Sequence, residues 1–188
     1  MDAPAPPLAS GMLLVSAPVL EDPNFRRTVV LLCDHQPQKG SFGLVLTQPT
    51  DVHLSDVLEG MYLYDPVLHI GGPVQRDTLH FVHRMPDAIP GGVPLPGGVV
   101  WGGDFDAVQA RAHRGSGSAD TLRFFVGYSG WGPGQLQAER DEEAWIVSSV
   151  SPALLFDTPP DRLWGAVLRK MGGEFAWLSN FPDDPQMN

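Results

Sequence analysis

Cysteine is nearly absent from this chain: Cys33 is the single one in 188 residues. A lone thiol forms no internal disulfide and completes no four-ligand zinc site, which excludes a disulfide scaffold and a zinc finger. Basic residues are scarce too, with 12 Lys and Arg against 22 Asp and Glu and a formal charge of −10. A field of that sign repels phosphate backbones and anionic lipid, and the basic clusters are no longer than the pairs Arg26–Arg27 and Arg169–Lys170. Neither direct nucleic-acid binding nor membrane binding is expected. The uncharged run Ala3–Leu20 has 18 residues, near the length of a membrane span. It carries Pro4, Pro6, Pro7 and Pro18 and lacks the basic flank of a signal peptide. It reads as a flexible arm over residues 1–10 followed by a first strand, and the protein is expected to be cytoplasmic.

What is present suffices for a core, since 43% of the residues are hydrophobic and the length suits one domain, placed at 11–188. Gly11–Ala17 reads as a strand ended by Pro18. The unbroken apolar run within Arg27–His35 predicts a strand buried on both faces, central in a sheet with helices on either side. Phe42–Leu46, stopped by Pro49, is its hairpin partner. Leu54, Val57 and Leu58 mark a short helix. Val67–Ile70, Thr78–His83 and Val99–Trp101 read as strands, and Pro86–Gly98, with four prolines and four glycines, as a loop. A helix follows over Asp104–His113, then a flexible connection over Arg114–Asp120. Leu122–Tyr128 predicts a strand, Gly130–Gly134 a turn, Pro133–Glu143 a helix and Ala144–Val150 a strand. Thr158-Pro-Pro-Asp161 predicts a capped start for a last helix lined by Leu163, Trp164, Val167, Leu168 and Met171 and stopped at Gly172. Strands outnumber helices without regular alternation. The expected fold is α/β of the α+β kind, a single domain with a mixed, mainly antiparallel sheet packed by several short helices.

Chemistry-bearing patterns are few. Leu122–Leu136 joins a strand, a glycine-rich turn and a helix start, an arrangement that aims backbone N–H groups at an anion. The glycines are spaced Gly130-x-Gly132-x-Gly134, neither GxGxxG nor a phosphate-binding GK[ST] loop. The competing reading is structural, with glycines for a tight turn and Trp131 plugged into the core. Gly127-Tyr-Ser129-Gly-Trp131 imitates a nucleophile elbow, but Trp131 stands where a glycine is needed and no histidine follows His113. Cys33 and His35 lie two apart on one strand and form a candidate reactive pair, against a core role for the thiol. The six histidines include no HExxH, and neither a metal nor a cofactor is expected. Gln135 and Glu139 are i, i+4 neighbours able to present a polar pair to the glycine turn.

These landmarks resemble the YqgE/AlgH family of bacterial proteins. The resemblance runs from Gly11-Met-Leu-Leu-Val-Ser-Ala-Pro18 through Asp22-Pro-Asn-Phe25 to Cys33-Asp-His35 and Gly43-Leu-Val-Leu46. It continues with Gly71-Gly-Pro-Val74, Gly127-Tyr-Ser-Gly-Trp-Gly-Pro-Gly-Gln-Leu136, Ala144-Trp145 and Asp184-Pro-Gln-Met-Asn188. The family usually has Asn-Arg-Pro after the Gly-Leu-Val-Leu strand, where this chain has Thr47-Gln48-Pro49. The resemblance implies an α/β fold and a transcriptional-regulator label, with no enzymatic activity or cofactor attached. The expectation is a binding or regulatory module acting through a protein or small-molecule partner. Its candidate surface comprises Gly71, Gly72, Pro73, Gly130, Trp131, Gly132, Gln135 and Glu139. The rival is a small enzyme acting on an anionic metabolite through Cys33 and His35, or through Glu139.

Overall fold

The computed structural model describes residues 6–61, 63–118 and 120–181. Part of the N-terminal arm and the motif Asp184–Asn188 lie outside them. One curled, mainly antiparallel sheet carries the α+β domain. Its strands are β1 (Met12–Ser16), β2 (Val29–Gln36), β3 (Gly40–Val45), β4 (Pro49–His53), β5 (Val67–Ile70), β6 (Val74–His83), β7 (Val93–Leu95), β8 (Val99–Trp101), β9 (Leu122–Trp131) and β10 (Trp145–Ser149). The helices are α1 (Leu54–Val57), α2 (Phe105–His113), α3 (Gln135–Asp141), α4 (Pro160–Met171) and α5 (Gly173–Leu178). The spatial order is β10-β1-β2-β3-β9-β6-β8-β7, with β5 joining β9 in parallel and β4 paired to β5.

β2 is buried on both faces, as its unbroken apolar run requires. Val29, Leu31 and Cys33 enter the central core beneath α4, while Val30 and Leu32 enter a second core under α3. A third core gathers Leu54, Leu68, Phe81, Val108 and Phe124 between α1, α2 and the other half of the sheet. α4 carries its apolar stripe as predicted, with Leu163, Trp164, Val167 and Leu168 buried and Met171 half-buried beside them.

β9 differs most from its sequence reading. It does not stop at Tyr128 but runs on through Trp131, and Gly127, at φ +69°, sits inside it. Before this glycine Phe125 faces the central core and Phe124 the third; after it Tyr128 faces the central core and Trp131 the second. The left-handed residue thus inverts the side-chain alternation of the strand. The turn accordingly shrinks to Gly132–Gly134, and α3 starts at Gln135, capped by Gly134 at φ +72° rather than entered at Pro133. Within Pro86–Gly98 the strand β7 pairs with β8. β4 begins at Pro49, read as a stop, and α5 follows the Gly172 break directly. α4 has no side-chain cap from Thr158, whose hydroxyl donates to the Ala153 carbonyl instead. The connection after α2 is tied down: Gly115 and Ser116 donate backwards to Ala112 and Arg111, and Gly117 lies against the Tyr64 ring.

Candidate functional site

Inversion at Gly127 brings Trp131 under α3, where it meets Trp145 from β10 and Phe25 from the loop before β2. The indole planes of Trp131 and Trp145 are nearly perpendicular at 6.0 Å, and Phe25 lies 5.4 Å from Trp145. Glu139 on α3 closes this cluster. Its Oε2 accepts from Trp131 Nε1 at 2.9 Å and Trp145 Nε1 at 2.7 Å, while Oε1 accepts from Gln135 Nε2 at 2.9 Å. The i, i+4 pair is therefore real, but its carboxylate serves two buried indoles. The glycine turn is equally committed. Gly132 donates its N–H to Gln135 Oε1, Gly134 to the Pro37 carbonyl and Gln135 to the Gly132 carbonyl. Those amides are not turned toward an anion.

Gly71 and Gly72 are buried and sit elsewhere along β9. Gly71 donates to the Val126 carbonyl and accepts from Val45 and from the Ser129 hydroxyl. A Cβ on Gly71 would lie 2.3 Å from the Gly127 carbonyl oxygen, and one on Gly72 2.2 Å from the Tyr128 carbonyl. This dipeptide lets β3 and β5 share one edge of β9. Gly71 and Gly72 are covered, while Pro73, Gly130, Gly132 and Gln135 are exposed.

Cys33 is the extra residue of a bulge between Leu32 and Asp34. Its thiol is fully buried against the Leu31 carbonyl at 3.6 Å, and burial, with the Asp34 charge, pushes its pKa up. A thiolate is thereby disfavoured. His35 turns instead to Ser41, Nδ1 to Oγ at 2.8 Å, beside a small cavity of about 80 Å³ that also touches Gly132 and Gly134. Among the described residues, no three His, Cys, Asp or Glu side chains converge to hold a metal, and no helix is long and apolar enough to cross a membrane.

The AlgH-like family model (DUF179) matches residues 13–176, which span nearly all of this framework. The chain belongs to the AlgH-like family. A UPF0301 protein of Cytophaga hutchinsonii is 40% identical over 182 residues, covering 96% of this chain and 100% of that protein. One from Chlorobaculum tepidum is 39% identical over 181 residues, covering 96% of each. The solution structure of the AlgH protein from Pseudomonas aeruginosa superposes with a TM-score of 0.72 at 30% identity, covering 97% of this chain and 98% of that one. A crystal structure from Corynebacterium diphtheriae gives 0.78 at 25% identity, covering 95% of each.

In this AlgH-like chain the Thr47-Gln48 pair makes fold contacts. The Thr47 hydroxyl accepts from the Val29 amide, and Gln48 Nε2 donates to the Asn24 carbonyl at 3.0 Å. A further cavity, missed at the level of sequence, opens where the loop before β2 meets α4 and the end of α5. It measures about 240 Å³ and is lined by Arg27, Arg162, Arg169 and Asp161, with Trp164 and Ser179. Its signal was divided between the two basic pairs, 142 positions apart (169 minus 27), and only α4 packing on β1 unites them.

Proposed function

We propose that this AlgH-like chain is a non-catalytic binding or regulatory module that acts through a protein or small-molecule partner rather than by direct contact with DNA. The observation that carries the reading is how Glu139 is used. Its carboxylate is engaged by three donors, two of them buried indoles, so it serves as the fastening of α3 rather than as a general acid or base. The Cys33 thiol is likewise committed to the core. The regulator label attached to the family fits indirect action, since a net charge of −10 opposes approach to DNA.

The test is incubation of the purified protein with pools of anionic metabolites, followed both by thermal shift and by NMR of the pool. The expected outcome is a rise in melting temperature with at least one pool and no new product in any. Conversion that co-purifies with the protein and disappears in Cys33→Ala or His35→Ala would overturn the reading in favour of a small enzyme.

A further inference from the structure

In an acidic protein, three of the 12 basic side chains surround one cavity. Arg162 and Arg169 lie seven residues, about two turns, apart on α4 and so share a face. Arg27 faces them from the loop before β2. Its guanidinium is held 4.2 Å above the Trp164 ring and donates from Nη1 to the Phe181 carbonyl at 2.7 Å. Its backbone is at φ +50°, the left-handed region that a residue with a Cβ rarely adopts. Trp164 is itself fixed, donating Nε1 to the Ser16 carbonyl at 2.9 Å.

Gly165 supplies an independent observation. It occupies the middle of α4, where glycine is unfavourable relative to alanine. No backbone neighbour demands it. The atoms that a Cβ would meet belong to the Arg169 guanidinium, the nearest at 3.0 Å. The missing side chain instead leaves the cavity open beside Arg169. At about 240 Å³ the space lies just under the range of drug-sized sites and suits a small metabolite.

We propose that this recess is a binding site for a small oxyanion, either a phosphomonoester or a multiply charged carboxylate. Arg162 and Arg169 line the recess with exposed planar guanidinium groups suited to forked recognition of such a group, while Arg27, stacked on Trp164, and Asp161 complete its lining. The inference rests on the binding-module reading and gives it a ligand class.

The experiment titrates the full chain, at constant ionic strength, with glycerol 3-phosphate, inorganic phosphate and citrate in separate calorimetric runs. The phosphorus probes are repeated by phosphorus NMR. Saturable binding of at least one probe is expected, weakened about tenfold in Arg162→Gln and in Arg169→Gln, each removing an exposed charge without touching the core. Gly165→Leu fills the recess without changing charge and is expected to weaken the same probe. The preferred probe distinguishes phosphate from carboxylate chemistry. Absence of binding by all three, or equal binding in all variants, overturns the site. Release of inorganic phosphate from glycerol 3-phosphate in proportion to protein would overturn the non-catalytic reading while leaving the site in place.

Discussion

Glu139 shows what a single carboxylate does when two indoles converge on it. Replacement by alanine leaves the N–H groups of Trp131 and Trp145, both nearly inaccessible to solvent, without their acceptor. The expected loss is about 3 kcal/mol, from the cost of stranding buried donors, and Glu139→Gln, which keeps one acceptor oxygen, should lose less. Urea unfolding followed by tryptophan fluorescence measures both. Glu143 makes the opposite case. It holds φ +60° just after α3, so Glu143→Gly should raise stability by about 0.5 kcal/mol, the relief of left-handed strain partly offset by unfolded-state entropy. The Gln135–Glu139 spacing was legible because i, i+4 geometry is local. The indoles that claim the carboxylate were not, because Trp145 arrives from a strand at the far end of the sheet order.

Among the elements, those whose apolar pattern stands alone were the readable ones. β2, β5 and β8 and the buried stripe of α4 need no tertiary information, only periodicity and β-branched content. β4 is not legible because Pro49 looks like a terminator, although proline is tolerated at the first residue of a strand. The sequence reading of β9 already passes through Gly127 and ends only before Gly130, where the glycine-rich turn is expected, so Ser129–Trp131 are the residues it misses. What periodicity does not show is the inversion at Gly127, which is set by its left-handed backbone and the close approach of the Gly72 carbonyl. Gly72→Ala tests that junction. With the new methyl carbon 2.2 Å from the Tyr128 carbonyl and φ at +156°, the expected cost exceeds about 4 kcal/mol, read as loss of cooperative unfolding or of soluble protein.

For the molecule as a whole, acidity is the expected weakness. His69 is buried, and burial together with the Arg123 guanidinium lowers its pKa to about 4. Burial lowers those of His80 and His83 as well. In the unfolded chain these imidazoles titrate near 6.5, so between about pH 6.5 and 4 the unfolded state binds protons that the folded state refuses. Stability is therefore held above pH 6.5 and falls on acidification through that window, with His69 accounting for as much as about 3 kcal/mol. His69→Gln should flatten the difference between urea midpoints at pH 7 and pH 5. The arginine recess also belongs to this scale. Each basic pair was visible in the sequence, but their meeting depends on the docking of α4 across β1, which no local pattern encodes.

β9 is hydrogen-bonded to the β3 side of the sheet, to β5 and to β6, yet among the described residues it is the ninth strand in chain order. During synthesis eight strands therefore leave the ribosome before the one that joins them. Until β9 emerges, β3, β5 and β6 each present a row of unpaired backbone groups, the kind of edge that recruits other chains. The nascent chain should depend on chaperones or on low crowding for longer than its size suggests. Refolding in vitro should be slow and sensitive to protein concentration, even where the finished protein is stable.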